Sequence, residues 1–191
     1  MSRVSGEQAR PTGIAVFGSS EPVEGDPLYE RAFRLGRLLA EHGHVIVTGG
    51  YGGVMEAASR GAHEAGGKTI GVTCRIFASR QPNPYLTEVR ESEDLYDRTR
   101  ALIGLARGFV ILPGKAGTLA ELSFLWALDR AGCLGRRRVV LLGDSFGAVL
   151  DQLGRSEMLD PEQIEITRIA TSPQEVLDLL GRAPGETGAS R

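Results

Sequence analysis

The sequence predicts a single α/β domain built on a mainly parallel, doubly wound sheet with helices on both faces, a Rossmann-like fold. Short apolar runs alternate with longer amphipathic stretches six or seven times along the 191 residues. The apolar runs are solid rather than interrupted by polar residues, which is typical of strands buried on both faces. Three of them end in glycine-rich or small-residue turns. Because doubly wound folds bind ligands beyond the carboxyl ends of their strands, these turns mark the expected site.

The individual elements follow from local signals in chain order. Strands are predicted at apolar, β-branched runs bounded by glycine, proline or polar residues: 13–17, 44–48, 69–73, 87–91, 109–112, 139–142 and 164–170. Helices are predicted at the amphipathic or apolar stretches between them: 27–42, 54–65, 94–106, 119–128, 146–153 and 173–180. Asp26 and Pro27 form a typical helix start, and Ser172 is the expected N-cap of the last helix. The segment 74–85 contains two prolines and is predicted to be an irregular loop.

Length and composition indicate one domain and exclude several classes of protein. The chain is short for two domains, so we expect one domain at residues 13–180 with flexible polar tails at 1–12 and 181–191. A net charge of -2 argues against a nucleic-acid partner, which would need a basic face. The sequence shows neither a long apolar span nor a signal-like start, so we expect a cytoplasmic protein without a membrane partner.

The potential metal ligands are few and scattered. Cys74 and Cys133 lack metal-ligand spacing and fit reduced thiols. His42, His44 and His63 do not cluster with other types of ligand. The sequence therefore predicts no metal site and no cofactor.

The strongest functional signal is the stretch 109–121. Four apolar residues predict a buried strand, and a loop with little side-chain bulk and one cation separates it from the next helix: Pro113, Gly114, Lys115, Ala116 and Gly117. A strand that delivers such a loop to a helix start directs free backbone N–H groups and the positive end of the helix dipole at one point, which suits a phosphate. Thr118 and Glu121 also fit a capping box, Thr-x-x-Glu, which is a purely structural alternative.

Two further turns follow the first two predicted strands, at 18–20 and 49–53. None of the three is a P-loop or a dinucleotide fingerprint, since Phe109 and Met55 occupy positions that those motifs reserve for glycine. Parallel strands end at one edge of the sheet, so the turns are expected to meet around a nucleotide-sized anion. The residues expected to bind it are Gly18, Ser19, Gly50, Gly52, Gly53, Met55, Gly114, Lys115, Ala116, Gly117 and Thr118.

The sequence Pro-Gly-Lys-Ala-Gly-Thr-Leu-Ala-Glu at 113–121 resembles the PGGxGTxxE motif of the LOG ("Lonely guy") family. The turn at 49–55 is similar to that family's other glycine-rich turn, which ends in Gly-x-Met. LOG proteins are cytokinin riboside 5′-monophosphate phosphoribohydrolases, many of them once labelled as lysine decarboxylases. The resemblance extends over most of the chain, from about residue 14 to residue 180.

The resemblance implies cleavage of the N-glycosidic bond of a purine nucleoside 5′-monophosphate, AMP-like or of cytokinin type, to free base and ribose 5-phosphate. It places Arg98 at the family's catalytic arginine, which would orient Glu121 or bridge ribose and phosphate. Glu121 would stabilise an oxocarbenium-like sugar or position water. From the sequence alone, a surface arginine of an amphipathic helix is the favoured interpretation of Arg98, and only the family alignment reverses that preference.

Two residues depart from the family pattern. Lys115 stands where PGG has its second glycine, and Thr99 stands where a lysine follows the arginine. Lys115 either contacts the phosphate or points into solvent. A Schiff-base lysine needs a desolvated amine, which a glycine loop does not supply, so lysine decarboxylation is disfavoured.

The alternative to a hydrolase is a non-catalytic nucleotide or molybdenum-cofactor carrier, since such carriers share this fold and glycine pattern. Lys115 and Thr99 favour the carrier, whereas Arg98 with Glu121 favours the enzyme. The family resemblance also implies a homodimer. The helix carrying Phe124 and Trp126 is either its interface or part of the core.

Overall fold

A computed structural model describes residues 13–181 of the chain. The strands are β1 (Gly13–Phe17), β2 (Val45–Thr48), β3 (Thr69–Cys74), β4 (Glu88–Ser92), β5 (Ala106–Ile111), β6 (Arg138–Leu142) and β7 (Thr167–Ala170). The helices are α1 (Pro27–Glu41), α2 (Val54–Glu64), α3 (Leu95–Leu105), α4 (Ala116–Arg130), α5 (Phe146–Arg155), α6 (Pro161–Ile166) and α7 (Pro173–Gly181). The predicted N-terminal tail and residues 182–191 of the predicted C-terminal tail lie outside the described residues.

All seven strands are parallel and lie in the order β4-β3-β2-β1-β5-β6-β7. The chain therefore starts in the middle of the sheet, builds outward to β4, and returns to the other side of β1. Because parallel crossovers are right-handed, this reversal places helices on opposite faces. Ile14 and Val16 pack with α1, α2 and α7. Ala15 and Phe17 pack with α3, α4 and α5. The predicted doubly wound α/β fold is confirmed.

The helices α1 and α2 approach each other closely through two glycines. A methyl group on Gly36 would overlap the carbonyl oxygen of Ala58, and one on Gly61 would overlap the carbonyl oxygen of Phe33. The residues of α2 at this contact are small, so the backbones of the two helices can lie close together. This contact sets the position of α2, and with it the glycine turn that precedes α2.

Two predicted elements need correction. The helix expected to open at Thr118 begins two residues earlier, at Ala116, with Lys115 as N-cap. Thr118 is thus inside the first turn, and the Thr-x-x-Glu capping box is absent. The stretch predicted as one strand from Ile164 to Ala170 is the end of α6 followed by β7. Pro161 favours a helix start there, and the backbone N–H of Asp160 donates to the side chain of Gln163 at 3.2 Å.

Some features bearing on partners can be stated for residues 13–181. No helix in this range is both long enough and apolar enough to cross a bilayer. No group of three or more His, Cys, Asp or Glu side chains in it is arranged to hold a metal ion. Cys74 is a buried free thiol, and Cys133 is an exposed one.

We expect Gly36→Ala to lower the free energy of unfolding by about 1–3 kcal/mol, because the added methyl group meets backbone that cannot rotate away. The matched control is Gly104→Ala, also within a helix, where a Cβ meets nothing within 4 Å. That variant should be more stable by about 0.5–1 kcal/mol through helix propensity. Urea unfolding of both variants measures the difference. Equal effects of the two substitutions would contradict the close α1–α2 contact.

Candidate active site

The turns after β1, β2 and β5 contact one another at the carboxyl edge of the sheet. Ser19 connects them, since its N–H donates to the carbonyl of Pro113 at 3.1 Å and its carbonyl accepts from the N–H of Val54 at 2.9 Å. A methyl group on Gly53 would overlap the backbone of Ser19, and one on Gly114 would lie 3.0 Å from the Ser19 nitrogen. Glycine at both positions therefore permits the turns to meet, at the switch point between β1 and β5.

The second turn is held in place by the loop that follows β3. Gly50 and Gly53 have φ angles of 81° and 71°, which side chains other than glycine's rarely adopt. Asn83 donates from its backbone N–H to the carbonyl of Gly50 at 2.9 Å and from its amide to the carbonyl of Tyr51 at 3.1 Å. The Tyr51 hydroxyl donates to the carbonyl of Cys74 and accepts from its N–H. The predicted irregular loop thus supports the site.

Arg98, on the first turn of α3, lies across the site with its guanidinium fixed by backbone. Its Nε donates to the carbonyl of Val72 at 2.8 Å, and its Nη2 donates to the carbonyl of Gly49 at 3.1 Å. The guanidinium carbon lies 5.8 Å from the centre of the Tyr51 ring. The side chain is 12% exposed. Arg98 is therefore not a solvated surface arginine, and its remaining nitrogen, Nη1, faces Glu121.

Glu121 is in the second turn of α4, one turn later than predicted. Its Oε1 lies 3.9 Å from Nη1 of Arg98, and its side chain is 17% exposed. No group within residues 13–181 donates a hydrogen bond to its carboxylate. Burial raises the pKa of Glu121 to about 7, and the nearby Arg98 acts in the opposite direction. A buried carboxyl group with a raised pKa and few partners is typical of a functional site.

The start of α4, where the sequence predicts a phosphate site, has no side-chain cap. The N-cap Lys115 makes no side-chain capping bond, so the first N–H groups of the helix, from Ala116 to Thr118, have no cap. Thr118 is only 8% exposed, and its hydroxyl has no partner among residues 13–181. The hydroxyl oxygen itself is not a buried atom, so it is available to a bound molecule.

A polar cleft of about 170 Å³ lies between these turns. It brings together most of the predicted residues: Gly18, Ser19, Met55, Arg98, Lys115, Gly117, Thr118 and Glu121. The other predicted residues do not line it: Gly50, Gly52, Gly53, Gly114 and Ala116. Gly53 and Gly114 instead allow the close backbone contacts described above.

The sequence reasoning missed Ser20, Glu21, Phe77 and Arg80, which also line the cleft. Glu21 directly follows the first turn. Phe77 and Arg80 follow β3 in a stretch predicted only as an irregular loop. The rule that ligands bind beyond the carboxyl ends of strands applies equally to β3, so it could have identified both residues.

The two departures from the LOG motif take part in local contacts. Nζ of Lys115 lies 2.6 Å from Oε1 of Glu21, and the two side chains are 74% and 63% exposed. The hydroxyl of Thr99 donates to the carbonyl of Leu95 within α3, at 2.8 Å. Lys115 is thus ion-paired, and Thr99 adds no charge to the cleft.

A second, larger and mainly apolar groove of about 840 Å³ lies on the other side of the Arg98–Glu121 pair. It runs between α3 and α4 and includes Leu95, Tyr96, Ile103, Ala120, Phe124 and Leu128. The groove shares Phe77, Arg98, Gly117 and Glu121 with the polar cleft. The charged pair therefore lies between a small cleft of mixed polar and apolar lining and a larger, mainly apolar groove.

Known proteins show where this chain belongs. The profile of the SLOG cluster4 family matches residues 11–165. The cytokinin riboside 5′-monophosphate phosphoribohydrolase of Mycobacterium marinum is 32% identical over 143 residues, which are 74% of this chain and 75% of that protein. A probable cytokinin riboside 5′-monophosphate phosphoribohydrolase of Oryza sativa subsp. japonica is 27% identical over 179 residues, covering 91% of this chain and 72% of that protein.

A solved structure with the same fold comes from a protein with a different role. The molybdenum cofactor binding protein of Rippkaea orientalis superposes with a TM-score of 0.69 at 27% identity, covering 89% of this chain and 95% of that one. The family profile matches well over half of the chain, and the mycobacterial protein is aligned over three quarters of its own length. The chain thus belongs to the SLOG cluster4 family and is a divergent relative of the LOG phosphoribohydrolases.

Proposed function

We propose that this protein hydrolyses the N-glycosidic bond of a nucleoside 5′-monophosphate, with purine nucleotides such as AMP or a cytokinin nucleotide as substrates. The products are the free base and ribose 5-phosphate. One observation carries this proposal: Glu121, a buried carboxyl group 3.9 Å from a fixed arginine, is on the same helix whose uncapped start suits a phosphate. The mycobacterial relative, named for the same reaction, supports it.

The spacing along α4 suits such a substrate. Glu121 lies five positions after Ala116, which is about 7.5 Å along a helix axis. That length is comparable with ribose 5-phosphate from the phosphorus to the anomeric carbon. A phosphate held by the helix start would therefore place the anomeric carbon near the carboxyl group of Glu121. Both groups belong to one rigid element, which keeps their separation constant.

The reaction needs a negatively charged group close to the anomeric carbon of the ribose. As the bond from C1′ to the base nitrogen breaks, positive charge develops on the sugar, and an ionised Glu121 stabilises it. Water adds across the bond, so its oxygen joins C1′ and a proton ends on the departing base. Glu121 is placed to accept a proton from that water. Nη1 of Arg98, which no backbone carbonyl holds, is free to bind a ribose hydroxyl or to orient Glu121.

A second candidate is a binder or carrier without catalytic activity. The charge of Lys115 is paired with Glu21, and the hydroxyl of Thr99 donates to a carbonyl of its own helix. Neither residue provides the glycine or the lysine that the LOG motif has at these positions. The fold is also that of a molybdenum cofactor binding protein. In this role the cleft would hold its ligand without turnover.

We further propose that the protein is a cytoplasmic homodimer. Phe124 is 45% exposed at the apolar groove, beside the exposed Leu95 and Tyr96, and a second copy would remove this apolar surface from water. Trp126 is 7% exposed and donates to the hydroxyl of Thr167, so it belongs to the core of one subunit. The reduced cysteines fit a reducing compartment.

We expect Glu121→Gln to lower the rate of base release by about 10²–10⁴-fold while nucleotide binding remains, since the amide cannot carry the charge that stabilises the sugar cation. The assay measures free base from a panel of nucleoside 5′-monophosphates, and calorimetry measures binding. The control is Glu162→Gln on the exposed surface of α6, which should keep full activity. Binding without base release in the unaltered protein would favour the carrier. Full activity of Glu121→Gln would exclude the proposed role.

The same substitution tests the ionisation of Glu121. Its pKa of about 7 is above the usual 4.5, so the folded protein binds this proton more tightly than the unfolded chain. The resulting stabilisation is fully present below pH about 4.5 and is lost as the pH rises to about 7. Between about pH 5 and about pH 8, the unaltered protein should lose up to about 3 kcal/mol more unfolding free energy than Glu121→Gln does. Parallel pH profiles of the two proteins would contradict this ionisation.

The dimer proposal predicts that Phe124→Glu yields a monomer, because a carboxylate at the centre of an apolar contact is costly to bury. Light scattering coupled to size exclusion gives the molar mass, and circular dichroism checks the fold. A control on another surface is Val149→Glu, also an exposed apolar residue, which should leave the mass unchanged. A monomeric unaltered protein would refute the dimer.

A further inference from the structure

The ion pair between Glu21 and Lys115 lies at the polar cleft. Glu21 belongs to the turn after β1, and Lys115 is the N-cap of α4, yet their charged atoms are 2.6 Å apart. Both side chains line the same cleft as Thr118 and Glu121. A carboxylate thus lies on the cation nearest the start of α4, where the substrate phosphate is expected.

Within residues 13–181, the two charged groups make no other hydrogen bond or ion pair. The two side chains are 74% and 63% exposed, and exposed ion pairs contribute little to stability. Glu21 is anchored through its backbone, since its N–H donates to the hydroxyl of Ser19 at 3.2 Å. Rotation of the side chain alone can therefore release Lys115, with no movement of the turn.

Other groups around the pair are prepared for an anion. Thr118 as a whole residue is 8% exposed and lines the cleft, and its hydroxyl has no hydrogen-bond partner within residues 13–181. The helix start carries no side-chain cap. A phosphate dianion has more charge and more acceptor oxygens than a carboxylate, so it can bind these groups and Lys115 together. Glu21 satisfies only Lys115, which makes it the weaker ligand.

We propose that Glu21 is a specificity-determining residue that occupies Lys115 in the empty protein and yields it to the 5′-phosphate of the substrate. This rests on the proposed binding of a nucleoside 5′-monophosphate in the cleft. The exchange selects among ligands, because a ligand must interact with the Lys115 ammonium more strongly than the carboxylate of Glu21 does. Nucleosides and ligands with a single carboxylate do not meet it, whereas phosphate monoesters do.

The test is a double-mutant cycle on ligand binding, measured by calorimetry with AMP and with inorganic phosphate. Glu21→Gln should tighten binding of both by about threefold to tenfold, because phosphate no longer competes for Lys115. Lys115→Met should weaken binding by a similar factor. The double variant should bind like Lys115→Met, because the effect of Glu21 acts through Lys115.

Three outcomes would overturn the proposal. Additive effects in the double variant would show that Glu21 merely repels phosphate. Unchanged affinity of Glu21→Gln for AMP and phosphate would show that the ion pair does not affect phosphate binding. Absence of phosphate binding to the unaltered protein would remove the site itself.

Two controls accompany the cycle. Asp151→Asn breaks the exposed pair with Arg155, which lies outside the cleft, and should leave the affinity for AMP unchanged. Adenosine, which lacks the phosphate, should bind all four proteins of the cycle equally. The calorimetric measurement needs no turnover. The cycle therefore still tests the role of Glu21 if the unaltered protein releases no base and the hydrolase proposal fails.

Discussion

The whole site depends on the backbone of Ser19, which holds three turns together at the point where the strand order reverses. A parallel sheet that starts at β1 leaves a crevice between β1 and β5, and Ser19 bridges it to Pro113 on one side and to Val54 on the other. These bonds set the position of the α4 start relative to α2. Arg98 then joins the assembly through the carbonyls of β3 and the second turn. The Arg98 side chain and the turn before α4 are thus both held by main-chain contacts.

Burial explains why Arg98 and Glu121 form a chemically useful pair. At 3.9 Å the arginine is close enough to lower the carboxyl pKa, but it does not offset the loss of water around Glu121. Two nitrogens of the guanidinium donate hydrogen bonds to backbone carbonyls, which restricts how the guanidinium can approach the carboxylate of Glu121. The protein therefore holds a carboxyl group whose charged form is poorly stabilised, an arrangement common where function and stability conflict.

Most of the fold could be predicted from the sequence because its signals are local. Solid apolar strands, the Asp26–Pro27 helix start and glycines at strand ends each determine structure within a few residues. The errors arose where local signals compete. Ile164 and Ile166 favour a strand by composition, yet Pro161 and the bond between Asp160 and Gln163 start a short helix.

The site was harder to predict than the fold, because it depends on contacts between distant residues. Periodicity alone could not distinguish Arg98 from a surface arginine, since its partners Val72 and Gly49 are far away in sequence. The pairing of Lys115 with Glu21 spans 94 positions and has no local signature. Similarly, the glycines of the motifs suggested ligand contacts, whereas Gly53 and Gly114 serve the approach of one backbone to another.

The division of the candidate site into a polar cleft and an apolar groove has a consequence for ligand design. The two compartments meet at Phe77, Arg98, Gly117 and Glu121, so a single small molecule can occupy both. An anionic head joined by a short linker to a hydrophobic tail would straddle the charged pair. Such a compound would contact charged side chains at one end and the apolar surface between α3 and α4 at the other.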